Sequence, residues 1–186
     1  NRFVEIHFGD IPSDEMTTIL EKRCACPPSH SRILVSIMNS LRQRRSKSGV
    51  FLGKDGFITP RDLLRWAERG ASSKVELARE GYMLLAERLR TEEEKKYVRE
   101  ELETQIKVKI DLDVFYYGDM SQARILIEKF LSEEASATNR QLFSSIAPTK
   151  SLLRLVTLVL RCIEQKEPVL LVGGEPFACV CDIDCF

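Results

Sequence analysis

Gly56-Phe57-Ile58-Thr59-Pro60-Arg61-Asp62-Leu63-Leu64-Arg65-Trp66-Ala67 is the stretch on which the fold turns. Thr59 stands where a helix N-cap is wanted, and Pro60 follows at the first helical position, where its missing N–H costs nothing. Leu63, Leu64, Trp66 and Ala67 then give one apolar face. The pattern predicts a short helix with an inner and an outer side. Moving downstream, Val75, Ala78, Tyr82, Leu85 and Leu89 recur at helical spacing across 75–90, and Thr91 with Glu94 makes a capping box for a further, charged helix. Moving upstream, Ser29 opens a helix whose Ile33, Leu34, Ile37, Met38 and Leu41 form a stripe. Before it, Pro27 and Pro28 stop a helix that Ser13 caps, that carries Asp14 and Glu15 in its first turn, and that runs to about Arg23. Leu34, Ile37, Trp66, Leu85 and Leu89 are the expected common core. Phe3 to Phe8 reads as a short strand ending at Gly9 and Asp10.

Past Ile106 the pattern changes. Short apolar and acidic alternation to Tyr117, then small polar residues from Ser132 to Asn139, predict a linker over 108–147. Thr149 caps an amphipathic helix through Ile163, and Pro168 leads into Val169-Leu170-Leu171-Val172, which reads as a buried parallel strand feeding a turn at Gly173 and Gly174. The expected fold is mostly α: a helical bundle, a linker, then the helix and first strand that open an α/β unit. No internal repeat is visible.

The 186 residues are 44% hydrophobic, enough for a core, and 28 basic against 28 acidic side chains leave no net field to draw the whole chain to nucleic acid or to an anionic membrane. The apolar run Leu152 to Ile163 is broken by Arg154 and Arg161 and is shorter than the roughly 20 residues a bilayer requires. Asn1-Arg2-Phe3 has none of the marks of a signal peptide, so the expectation is an intracellular protein cut from something larger. Six cysteines in that setting are expected to be reduced thiols. Cys24, Cys26 and His30 supply three possible ligands where a structural zinc site wants four, and the tail group Cys179, Cys181 and Cys185 has no histidine nearby. No metal site is expected.

The strand-to-glycine turn invites comparison with a phosphate-binding loop, which needs a strand that delivers backbone N–H groups to phosphate oxygens. The required Lys and hydroxyl are missing from Gly174-Glu175-Pro176-Phe177-Ala178-Cys179-Val180, and Pro176 removes a donor. Arg2 and Arg61 are candidates to stabilise charge on a transferring phosphoryl group. His7 and His30 have no nucleophile or carboxylate at a catalytic spacing. The basic run Arg42 to Lys47 suits a solvated helix end and is also placed to touch RNA phosphate; nothing points to sequence-specific nucleic-acid binding.

Asn1-Arg2-Phe3-Val4-Glu5-Ile6 with Asp10-Ile11-Pro12 resembles the end of an AAA+ core in the midasin and dynein-related (MoxR-like) branch. Gly56 to Trp66 resembles that branch's second-sensor helix, and Gly81-Tyr82-Met83-Leu84-Leu85-Ala86-Glu87-Arg88 is similar to the lid of the midasin family in particular. Pro148 to Leu152 and Glu167 to Gly173 resemble the helix and first strand that open a next AAA+ module. The resemblance divides the chain into the end of a core (1–10, with the arginine-finger segment), a helical AAA+ lid (11–107), the linker (108–147) and a truncated start of the next core (148–186).

That resemblance implies that Arg2 is the arginine finger reaching a neighbouring module's ATP and that Arg61 is the second-sensor arginine of its own module. It places Gly173 and Gly174 at the opening of the next nucleotide-binding loop. The module's two Walker motifs would precede Asn1, so ATP and Mg2+ belong to the full-length family and none is expected for this chain alone. The family's work, on the same footing, is nuclear: ATP hydrolysis strips assembly factors from the precursor of the large (60S) ribosomal subunit. The expected partners are the pre-60S particle, its assembly factors and neighbouring AAA+ modules, with no membrane. A non-catalytic helical scaffold and another dynein-related machine are the alternative readings.

Overall fold

The computed structural model describes residues 9–47, 58–119, 121–131, 147–171 and 179–181. They fall into two compact units, divided between Ile110 and Asp111.

The first unit is a helical bundle. Helix α1 (Ser13–Cys24) begins one residue after Pro12 with no side-chain cap, so Ser13 is inside the helix rather than capping it. Asp14 and Glu15 in its first turn and Lys22 and Arg23 in its last complement the helix dipole. Ala25 ends it in the left-handed region at φ 48°. Helix α2 (Pro28–Lys47) starts directly at the second proline, and Ser31 donates to Glu21 at 2.9 Å, which ties α2 to α1. Its Leu34, Ile37, Met38 and Leu41 are all buried, as positions three and four apart on one face should be.

Helix α3 (Pro60–Glu68) carries the full capping box: Thr59 accepts from the N–H of Asp62, and the Asp62 carboxylate accepts from the N–H of Thr59 at 2.7 Å. Helix α4 (Lys74–Gly81), capped by Ser73, passes without a break into one π-helical turn, Tyr82–Ala86. The continuous helix expected over 75–90 therefore changes pitch midway. Helix α5 (Glu92–Ile106) is capped by Thr91 with Glu94, as the sequence pattern requires. Val98, Leu102 and Ile106 bury its inner stripe. Leu34, Ile37, Trp66 and Leu85 are all buried, while Leu89 is half-buried.

The second unit contains much of the stretch read as a linker: helices α6 (Leu112–Tyr117) and α7 (Gln122–Leu131) lie within 108–147. Asp111 caps α6 by accepting from the N–H of Val114 at 3.0 Å, so the apolar–acidic alternation is a cap followed by a short aromatic helix. Both helices pack on α8 (Lys150–Glu164), which Thr149 caps. Ala123 and Ile127 of α7 bury against Leu153 of α8, with Tyr117 and Val156 beside them. Strand β1 (Val169–Leu171) pairs antiparallel with β2 (Cys179–Cys181), and Leu170 is 68% exposed. This differs from the buried parallel strand expected there. A chain reversal of a few residues is enough for an antiparallel pair, whereas a parallel neighbour needs a crossover of about a dozen or more. The expected strand at 3–8 lies outside the described residues.

Candidate functional site

Of the residues singled out for nucleotide chemistry, Arg61 is the one the structure describes; Arg2, Gly173 and Gly174 lie outside the described residues. Arg61 is the second residue of α3, exposed, and among the described residues no carboxylate pairs with it. The capping box decides what that helix end can hold. An open helix N-terminus attracts anions through its free N–H groups, but here the Asp62 N–H is taken by Thr59, and the Asp62 carboxylate already sits over the end. The cap therefore leaves less of this helix end open than an uncapped one would, and the Arg61 side chain stands exposed beside it.

Three contacts hold α3 against the segment from Glu80 to Arg88. At its start, Arg88 forks onto Asp62, with Nη1 to Oδ1 at 2.9 Å and Nη2 to Oδ2 at 3.3 Å. In its middle, the Trp66 ring lies on the backbone of Gly81. A Cβ built at Gly81 would fall 2.2 Å from Trp66 Cζ2, so only glycine lets the ring seat there. The indole N–H donates to the carbonyl of Leu77 at 3.0 Å, which satisfies the one polar atom of a fully buried ring. Just past its end, Arg69 pairs with Glu80 at 2.8 Å, and each side chain is only 4% exposed. Sequence reasoning found Trp66 and missed the other partners. The signal was present in a Gly inside a helical pattern, which marks close packing.

A cleft of 230 Å³ opens near the C-terminal ends of α1 and α3, lined by Cys24, Cys26, Pro27, His30, Trp66 and Leu77 among others. It gathers the three possible ligands named above, but among the described residues no group of three or more His, Cys, Asp and Glu side chains is arranged to hold a metal. Burial pushes both thiols up, and neighbouring Glu68 for Cys24 and Cys24 for Cys26 push in the same direction. Thiols kept protonated are weak nucleophiles and weak ligands. The Cys24 Sγ sits 3.9 Å from the carbonyl of Leu64, a soft packing contact between α1 and α3. No described helix is long and apolar enough to cross a membrane.

A capped helix with Arg61 and Arg65 exposed, seated through a buried tryptophan on the backbone of Gly81, lies inside the stretch that comparison with known proteins identifies as a lid. Residues 15–109, about half of the chain, match the family model of the midasin AAA lid domain. The chain is 48% identical over 177 residues to midasin of Dictyostelium discoideum and 28% identical over 184 residues to midasin of Giardia intestinalis. These matches cover 93% of this chain in each case, but only 3% and 4% of the two relatives' own lengths. The chain belongs to the midasin family.

Proposed function

We propose that this chain is the lid of one AAA+ module, followed by the opening of the next, and that it serves a midasin-like ATPase. In this reading the parent machine uses ATP hydrolysis, with Mg2+, to strip assembly factors from the precursor of the large ribosomal subunit in the nucleus. Its partners are the pre-60S particle, those factors and neighbouring AAA+ modules. The observation that carries the reading is Arg61, exposed at the second position of a fully capped helix inside the matched lid. A guanidinium held there can meet the phosphate of a nucleotide bound by its own module. Arg2 is the finger serving the neighbouring module, and Gly173 and Gly174 open the next nucleotide loop. Support for a second core beginning at α8 comes from its apolar side chains: Leu155, Ile163 and Leu170 stand exposed, as they would before further structure covers them. By itself the chain turns over no ATP in this reading, since the segment after Gly173 has no Lys to reach a β- or γ-phosphate.

The test is a full-length midasin carrying this segment, with the other modules silenced through their phosphate-loop lysines. Arg61→Ala should weaken nucleotide affinity and turnover together, and Arg61→Lys should not restore bidentate geometry. Arg2→Ala should lower turnover far more than affinity, because a finger acts on charge that develops in the transition state. Equal rates and affinities for parent, Arg2→Ala and Arg61→Ala would make these modules structural members of the ring, and the scaffold reading would stand.

A further inference from the structure

We propose that Arg88 is a positioning residue for Arg61: through its fork on Asp62 it fixes the start of α3 and neutralises the carboxylate adjacent in sequence to the phosphate-facing guanidinium. This rests on the nucleotide-facing reading of Arg61 given above.

Asp62 is the shared anchor. Its Oδ2 accepts from the Thr59 N–H at 2.7 Å and the Thr59 hydroxyl at 2.8 Å, while its Oδ1 takes the shorter arm of the Arg88 fork. One carboxylate, 13% exposed, thus sets the helix cap and the clamp together. Without Arg88, that charge would lose its cationic partner at the helix end that carries Arg61, where it would repel an incoming phosphate. Arg88 removes that repulsion.

The π-turn is what lets Arg88 arrive. Asp62 on α3 and Arg69 at its C-cap are seven residues apart, close to two α-turns, so they share a face. Their partners Arg88 and Glu80 are eight residues apart. In an unbroken α-helix the eighth residue overshoots two turns by about 80°, and Glu87 rather than Arg88 would come nearest to Asp62, acid against acid. The π-turn Tyr82–Ala86, closed by the Glu87 N–H to the Tyr82 carbonyl at 3.3 Å, absorbs the extra residue. Both ion pairs then reach α3 at once.

The experiment measures ATP affinity and turnover in the full-length midasin described above, comparing Arg88→Ala, the double variant Arg88→Ala with Asp62→Asn, and Arg61→Ala. Folding of each variant of this chain is followed separately by the emission of Trp66, its single tryptophan. Arg88→Ala should weaken ATP about fivefold, the scale of a partly exposed charge contact, and move turnover at saturating ATP little. Adding Asp62→Asn, which removes the uncompensated charge and keeps an oxygen for Thr59, should recover most of that affinity. A loss that Asp62→Asn leaves unrescued, or no loss with Arg88→Ala where Arg61→Ala weakens binding, overturns the positioning role and leaves the reading of Arg61 intact. Parental affinity in Arg61→Ala removes the reading itself.

Discussion

Helices α3 and α8 begin alike and are packed very differently. Each starts from a threonine whose hydroxyl accepts an N–H three residues on, and each is strongly two-faced. Yet α3 buries Leu63, Trp66 and Ala67 within nine residues, whereas α8, over 15 residues, buries only Leu153 and Thr157 and leaves Leu155 46% and Ile163 48% exposed. The reason lies in the neighbours. Helix α3 is met by α1, by α2 and by the Glu80–Arg88 strap, while α8 is met by α6 and α7, which are short. An amphipathic pattern tells a helix which side to turn inward; it does not say how much of that side will be covered.

The largest expected effect sits on the covered helix. Trp66→Ala removes a fully buried ring together with its bond to Leu77, and should cost about 3–5 kcal/mol, a large share of a small domain's stability. Amide hydrogen exchange should report the loss across α2, α3 and α5, while α8 keeps parental protection. Unchanged melting and exchange would break the claim that α3 is enclosed by one core.

Next comes the ion pair between Arg69 and Glu80. With both side chains 4% exposed, losing one partner strands a buried charge, so Glu80→Ala should cost about 3 kcal/mol. Replacing both, as Arg69→Met with Glu80→Leu, removes the need for compensation and should be more stable than the single variant. Thermal melts of the two variants check this. A double variant no better than the single would mean that the pair holds the strap in place rather than merely cancelling its own desolvation.

How far the fold could be read from sequence follows the same division. Caps and stripes were legible because they are local: Thr59-Pro60, Thr91 with Glu94, Thr149, and the Leu34–Leu41 face each need only a few adjacent residues to be recognised. The π-turn was not legible, since Tyr82–Ala86 reads as ordinary helix until Asp62 and Arg69 are known to be waiting across from it. Helices α6 and α7 were missed because their burial depends on Leu153, distant in sequence, and because Asp111 as a cap looks like one more acid in a polar stretch. Of the candidate site, the exposed place of Arg61 could be read from the cap and proline before it, while its role came from the resemblance. The fork of Arg88 on Asp62 needed the tertiary structure.

The smallest expected effect tests the uncovered helix. Leu155→Gln changes an exposed leucine for a residue of similar helix propensity, so in this chain it should cost less than about 1 kcal/mol. Leu153→Ala, two residues earlier on the opposite face and 2% exposed against Ala123 and Ile127, should cost about 2–5 kcal/mol. The pair of melts therefore measures the asymmetry of α8 directly. If Leu155→Gln is as damaging as Leu153→Ala, both faces of α8 are packed in this chain and the contrast with α3 disappears. If the contrast holds here but Leu155→Gln becomes costly in a full-length midasin carrying the segment, further structure covers that face there. That result is what a second core beginning at α8 requires, because the same side chain would then leave water only in the longer protein.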